Sequence, residues 1–320
     1  MQKVLVAGGA GFIGSHLCKS LLDKGYSVVC IDNLITGSKT NLKEVSENPH
    51  FTFIQQDITH LILSNSDRLV NLKYIFHLAS PASPNKKSHL SYINHPIETL
   101  LVNSIGTYNL LELTKEKNAK FLFVSSSEIY GDPTISPQSE QYFGNVNPNG
   151  PRSVYDEAKR FGESMTMAYV RKYRVDARIV RIFNTYGPNM QKEDGRVVSN
   201  FISQAISNSP ITVYGNGTQS RSFCYVTDMI KGLELAMFED SAKGQVINIG
   251  NPQEQTIMQL ATMVKTLTKS TSQIVFEDLP EDDPKQRKPD IAKAKDLLSW
   301  MPSVTIEEGL QKTIEYFKSL

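Results

Sequence analysis

Residues 155–159 read YDEAK. Tyr155 and Lys159 are four residues apart, so on a helix they share one face. A lysine ammonium beside a phenol favours the phenolate and draws the tyrosine pKa toward working pH. A phenolate so placed takes a proton from an alcohol while a hydride leaves the same carbon. On its own the pattern is common by chance and reads equally as an exposed pair. A second stretch, FLFVSSSEIYG at 121–131, is an apolar run ending in three serines and a glutamate. Glu128 stands at the mouth of what otherwise reads as a core strand, where a carboxylate needs a partner, water or a task.

A hydride needs an acceptor. GGAGFIG at 8–14 follows the first apolar run and opens a helical pattern, with glycines at Gly8, Gly11 and Gly14. Glycines there permit a tight turn and let backbone N–H groups approach a pyrophosphate at a helix N-terminus. Such a triplet alone is weak. Here a strand precedes it, a helix follows, and Asp32 ends the next strand 18 residues beyond Gly14. An acid in that place bonds a ribose 2′-hydroxyl and repels a 2′-phosphate, which favours NAD over NADP. Asp57, ending the third strand, either contacts the adenine or simply terminates its strand.

These groups require a scaffold that brings strand ends together. Strand candidates fall at 3–8, 27–32, 51–57, 74–80, 121–127 and 177–184. They are rich in Val, Ile and Phe and barely alternate, as strands covered on both faces do. Helical stretches at 12–24, 97–117 and 154–173 lie between them. The pattern predicts an α/β fold: a Rossmann-type doubly wound parallel sheet with a smaller α/β substrate-binding lobe. The expected division is 1–184 for the NAD-binding domain, with a return segment at about 224–250. Residues 185–223 and 251–320 would form the smaller, substrate-binding lobe. In that lobe 211–226 reads as strand, turn and strand, and 254–270 and 305–320 read as amphipathic helices. The acidic run at 281–283 reads as a charged loop rather than a metal site.

Composition narrows the partners. Hydrophobic residues make up 40% and charged residues 21%, an ordinary globular balance. The net charge of +1 gives no global field toward nucleic acid or a membrane surface. No apolar run approaches the roughly 18 residues that would span a bilayer, and the start MQKVLVAGG has no signal-peptide pattern. Cys18, Cys30 and Cys224 are widely spaced and odd in number, which argues for buried thiols rather than a disulfide framework. A cytoplasmic protein without a metal is expected.

The combination of glycine loop, Asp32, Tyr155 and Lys159 resembles the extended short-chain dehydrogenase/reductase superfamily. That resemblance implies Ser126 as the hydroxyl that bonds the substrate oxygen, with Ser125 and Ser127 as neighbours. It implies a cofactor set of Gly8, Gly11, Phe12, Ile13, Gly14, Asp32, Asn33, Asp57, Ile58, Leu78, Ala79, Asn103, Tyr155 and Lys159. Within the superfamily, plain 4-epimerases need no carboxylate near C5 of the sugar, while 4,6-dehydratases carry an Asp-Glu pair at this strand end. Here Glu128 is preceded by Ser127, so the base remains and the acid that expels water is missing. One reaction fits: oxidation of a uronic acid at C4 gives a β-keto acid that loses CO₂, after which Glu128 serves the reprotonation of C5.

Longer strings point the same way: SSSEIYGDP (125–133), NVNPNGPRSVYDEAKR (145–160), RIFNTYGPNM (181–190), VYGNGTQSRSFCYV (213–226) and DDPKQRKPDIAKAK (282–295). Over nearly the whole chain the sequence resembles the UDP-glucuronate decarboxylase (UDP-xylose synthase) family. The resemblance implies nucleotide-diphosphate contacts from Asn184, Tyr214, Gln219 and Arg221. It places Arg287 near the substrate, where it binds diphosphate, holds the carboxylate or helps reprotonation. It implies a homodimer through helices near 97–117 and 154–173, with Leu100, Leu101, Ile105, Leu110, Met165, Met167 and Tyr169 on their apolar faces. The segment 85–99 is longer than the family's and adds Lys86 and Lys87; it reads either as a surface insertion or as altered sugar recognition. A 4-epimerase or 4,6-dehydratase is the alternative enzyme, and a non-catalytic NAD sensor would have no need of Tyr155 and Lys159.

Overall fold

The run of β-branched and aromatic residues in each early strand has a simple cause: neighbouring residues are buried on opposite faces of one sheet. Val4 and Val6 of β1 (Lys3–Ala7) join one hydrophobic cluster, while Leu5 and Ala7 join the other. In β5 (Lys120–Ser126), Leu122 and Val124 go to the first cluster and Phe121 and Phe123 to the second. The computed structural model describes residues 1–60, 67–279 and 286–320; the acidic run at 281–283 lies outside them.

Among the described residues, seven strands form the central sheet, all paired in parallel. The others are β2 (Ser27–Asp32), β3 (Phe51–Gln55), β4 (Leu72–His77), β6 (Ala177–Ile182) and Val246–Ile249. Their spatial order is Val246–Ile249, β6, β5, β4, β1, β2, β3. The chain runs outward from β1 to β3, then returns to β4 on the other side of β1. A crevice opens at the carboxyl ends of the strands where this reversal occurs, the place such sheets bind ligands.

Helix α1 (Phe12–Asp23) starts directly after the glycine turn and buries Leu17, Cys18, Leu21 and Leu22. The stretch 97–117 is not one regular helix. It is α2 (Pro96–Leu101), a π-helical turn at Val102–Gly106, and α3 (Thr107–Lys117). At that turn the side chains of Asn103 and Thr107 bond the carbonyls of Thr99 and Asn103, and polar side chains of this kind compete with the helical ladder. Helix α4 (Ser153–Tyr173) buries Tyr155, Ala158, Lys159, Gly162, Thr166 and Tyr169, spaced by three and four. Gly162 lets α4 approach β5 closely: a Cβ there would fall 2.2 Å from Phe123 Cζ. That close contact carries Tyr155 and Lys159 to the end of β5. On the expected dimer face, Leu110 and Tyr169 are core residues, whereas Leu100, Leu101 and Ile105 are 38–44% exposed.

In the second half Ile211–Tyr214 and Ser220–Ser222 are strands, and each pairs with a different neighbour. The first pairs with Ile274–Glu277, the second with Glu254–Thr256 and Gln286–Arg287. The helix expected from 254 begins at Ile257, because Thr256 and Gln259 form a reciprocal capping box and Glu254–Thr256 is drawn into the small sheet. The last helix is Ile306–Lys318. All three cysteines are buried free thiols. Among the described residues no helix is long and apolar enough to cross a membrane, and no cluster of His, Cys, Asp and Glu has metal-site geometry.

Candidate active site

One cleft of about 970 Å³ runs along the carboxyl edge of the sheet and under the smaller lobe. Its inner end is made of backbone. Gly8 has φ +81° and its N–H bonds Ile31 O at 2.8 Å. A Cβ on Gly14 would stand 2.1 Å from Gly8 O, and one on Gly8 would stand 2.6 Å from Ala79 N. The cradle therefore closes only without side chains, leaving the N-terminal turn of α1 open to the cleft. Asp32 accepts hydrogen bonds from Ala10 N (3.0 Å) and Leu34 N (2.8 Å), which fixes its carboxylate at the end of β2. Asp57 accepts from Asn33 Nδ2, Thr59 N and Thr59 Oγ1, so it caps the turn after β3 as well as facing the cleft. Phe12, Ile13, Asn33, Ile58, Leu78 and Ala79 also line this end. Asn103 does not. It is fully buried one layer back, donating to Ser80 Oγ and Thr99 O. The narrow glycine cradle followed by a carboxylate fits a dinucleotide pyrophosphate and ribose.

At the middle of the cleft Ser126, Tyr155 and Lys159 converge. Lys159 Nζ donates to Val124 O at 3.0 Å, and its ammonium lies 5.8 Å from the Tyr155 ring centre. Burial lowers Lys159 to about 7, with Glu163 opposing. Burial also pushes Tyr155 up to about 12; a hydrogen bond to Ser126 pulls it down, and the Glu128 charge pushes it further up. The expected depression of the tyrosine rests on the lysine ammonium together with a nicotinamide cation; among the protein groups alone burial dominates. Tyr92 stacks flat on Tyr155, with ring centres 5.0 Å apart and planes at 11°.

Beyond them sits a charged cluster. Glu128 Oε2 pairs with Arg152 Nη2 and lies 3.5 Å from Arg287 Nη2, while Arg287 Nη1 donates to Ser127 O. Burial alone would raise Glu128, but Arg287 and then Arg152 outweigh it and hold the carboxyl down to about 2. Arg287 is 1% exposed and does not itself line the cleft; it backs Glu128 from behind. Its strand, Gln286–Arg287, pairs with Ser220–Ser222 so that Arg287 lies beside Arg221.

Arg221 faces the outer end of the cleft together with Asn184, Tyr214 and Gln219, and Gln219 Nε2 donates to Tyr214 O at 2.6 Å. The long 85–99 segment lines the cleft through Asn85, Lys86, Lys87, Leu90, Tyr92, Ile93 and Glu98. Lys87 reaches Glu277 across the mouth at 3.7 Å.

Three residues escaped the reading from sequence. Arg152, at the N-cap of α4, stands three residues before Tyr155, so helix periodicity was the available signal for it; Asp156, next to Tyr155 in sequence, gave none. Tyr92 carried no motif.

Comparison with known proteins agrees with this geometry. A model of the NAD dependent epimerase/dehydratase family matches residues 4–250. UDP-glucuronic acid decarboxylase 3 of Arabidopsis thaliana is 49% identical over 318 residues, covering 99% of this chain and 89% of that protein. UDP-glucuronic acid decarboxylase 1 of Xenopus tropicalis is 47% identical over 317 residues, covering 99% and 72%. The chain belongs to the NAD dependent epimerase/dehydratase family and, within it, to the UDP-glucuronic acid decarboxylases. Among solved structures, a UDP-glucose 4-epimerase of Thermotoga maritima superposes with a TM-score of 0.89 at 30% identity, covering 99% of each chain. A Bacillus cereus UDP-glucuronic acid 4-epimerase in complex with UDP-glucuronic acid and NAD gives 0.88 at 30% identity, again covering 99% of each.

Proposed function

We propose that this family member catalyses the NAD-dependent decarboxylation of UDP-glucuronate to UDP-xylose. The observation that carries the reading is Glu128, half-buried in the cleft and ion-paired with Arg152 and Arg287 beside Ser126, Tyr155 and Lys159, with a serine rather than an acid at position 127. Tyr155, as phenolate, takes the proton of the sugar C4 hydroxyl while Ser126 bonds that oxygen. Bound in the glycine cradle, NAD supplies the hydride acceptor for C4 and later the donor. The 4-keto uronic acid is a β-keto acid, and Ser126 and Tyr155 stabilise the enolate oxygen left when CO₂ departs. C5 then takes a proton on the Glu128 side, and Tyr155 returns its proton to O4. Asn184, Tyr214, Gln219 and Arg221 hold the nucleotide diphosphate, where a guanidinium fork suits phosphate oxygens.

The division of labour follows the chain: residues 1–184 with 224–250 hold the dinucleotide, and 185–223 with 251–320 hold the sugar nucleotide. The exposed Leu100, Leu101 and Ile105 suit a homodimer, and the absence of a membrane-crossing helix among the described residues is consistent with a cytoplasmic protein. The epimerase neighbours favour a second reading, inversion at C4 without loss of carbon; the Glu128–Arg287 pair has no task in it. The test is to incubate purified protein with UDP-glucuronate and catalytic NAD, following CO₂ and nucleotide-sugar mass. Release of CO₂ with a UDP-pentose supports the decarboxylase; an epimerised uronate of unchanged mass replaces it with the second reading.

A further inference from the structure

Decarboxylation has a proton balance that the residues so far do not meet. The carboxylate leaves as CO₂ and hydrogen takes its place on C5, so each turnover consumes one proton from solvent. The C4 hydroxyl proton is only borrowed by Tyr155 and returned. The C5 proton must wait, at neutral pH, on a group that still carries one. Glu128 does not, because Arg287 and Arg152 keep it ionised.

Asp156 follows Tyr155 on the first turn of α4 and stands four residues from Arg152, whose guanidinium pairs with Glu128. That spacing puts Arg152 and Asp156 on one helix face. Asp156 is 5% exposed, and its Oδ1 is buried with no hydrogen-bond partner among the described residues. The charged and titratable groups around it come from four segments. Glu128 stands at the end of β5, Arg287 on the small sheet, Tyr92 in the 85–99 segment, and Arg152, Tyr155 and Glu157 on α4 itself. The Tyr92 hydroxyl is likewise buried without a partner among the described residues. When a uronate binds, its carboxylate joins Glu128 and Asp156, and of the two protein carboxyls the one whose buried oxygen has no hydrogen-bond partner takes up a proton most readily. Glu128 is ion-paired; Asp156 has the orphan oxygen.

We propose that Asp156 holds the proton that finishes on C5 and passes it by way of Glu128 as CO₂ departs. The inference rests on the decarboxylase reading. No hydrogen bond joins Asp156 Oδ1 to Glu128, so a water entering between them carries the proton from Asp156 to the Glu128 carboxylate, and Glu128 gives it to C5. The enolate electron pair forms the new C–H bond as the C4 carbonyl is restored, and Asp156 is recharged from solvent. No electrons leave the substrate in this step. Asp156 does not line the cleft, so it reaches C5 only through Glu128. Burial, and then the Glu128 charge, raise Asp156 to about 8, which keeps it protonated at neutral pH. The two carboxyls titrate as one coupled pair. The acid that position 127 lacks on the strand is supplied by the helix.

The test is turnover of UDP-glucuronate in D₂O by the wild type, Asp156→Asn and Asp156→Glu, reading CO₂, NAD affinity and the configuration of deuterium at C5. The wild type should place one deuterium in a single configuration and lose activity as pH rises past about 8. Asp156→Asn should bind NAD as the wild type does and turn over about 10- to 100-fold more slowly. It should also lose the alkaline limb and give deuterium in both configurations. Asp156→Glu should restore the single configuration. An Asp156→Asn protein with wild-type rate, limb and configuration overturns the inference, as does loss of NAD binding in both variants, which would make Asp156 a packing residue. A wild type that releases no CO₂ overturns the decarboxylase reading itself, a result distinct from either.

Discussion

The two ends of the cleft are built by opposite means. The end proposed for the dinucleotide is backbone: a glycine turn, a helix start and two carboxylates fixed by N–H groups and short polar side chains. The end proposed for the sugar is charge: Glu128, Arg152, Asp156 and Arg287 arrive from a strand end, a helix and a remote small sheet. The first is specified by shape and tolerates no added atoms. The second is specified by compensation, and the loss of one member leaves a buried charge without its partner. Substitutions should therefore separate them cleanly.

The largest effect belongs to Tyr155, at the junction of the two. Tyr155→Phe should lower turnover about 1,000-fold while NAD affinity, read by fluorescence titration, stays near wild type. Arg287→Met comes next. It strands Glu128 and should cost about 3 kcal/mol in denaturant unfolding. Because Glu128 is held below its ordinary value, its contribution to stability is complete above pH about 4.5 and is lost as pH falls toward 2. Arg287→Met should therefore flatten acid unfolding, and an unchanged acid limb would mean the pair carries no charge coupling. Glu128→Gln should slow CO₂ release about 100-fold with NAD binding intact; a wild-type rate would remove Glu128 from the proton step. Gly14→Ala reverses the pattern, overpacking the cradle by about 2 kcal/mol and weakening NAD more than UDP-sugar binding. The smallest effect is Lys87→Ala. The Lys87–Glu277 pair is exposed, so KM should move less than about threefold, and a larger change would give the long segment a part in sugar recognition.

The same contrast explains what could be read from the chain. The glycine loop and Asp32 are local: each is fixed by the strand it ends and the helix it starts, so spacing along the sequence is spacing in space. The sheet was legible for a similar reason, since Val, Ile and Phe without alternation require cover on both faces. Tyr155 and Lys159 were legible because one helix carries both. Arg287 lies 159 residues beyond Glu128, and no periodicity joins them. Only the family resemblance placed that arginine near the substrate. Tyr92 and Asp156 stayed hidden because an aromatic or an acid looks the same in sequence whether it is solvated or stacked. The desolvation of Tyr155 and Lys159 was not legible either, because burial depends on what packs around both groups and not on their spacing.

The pairing of Val246–Ile249 with β6 has a practical consequence for anyone cutting the gene. The chain leaves the main sheet at Ile182, builds part of the smaller lobe, and returns to lay a strand directly against the one it left. A fragment ending near Asn184 would present β6 as a bare edge of unpaired N–H and C=O groups, an invitation to aggregate. Neither half is expected to survive expression alone, but co-expressed halves should find each other through that missing strand.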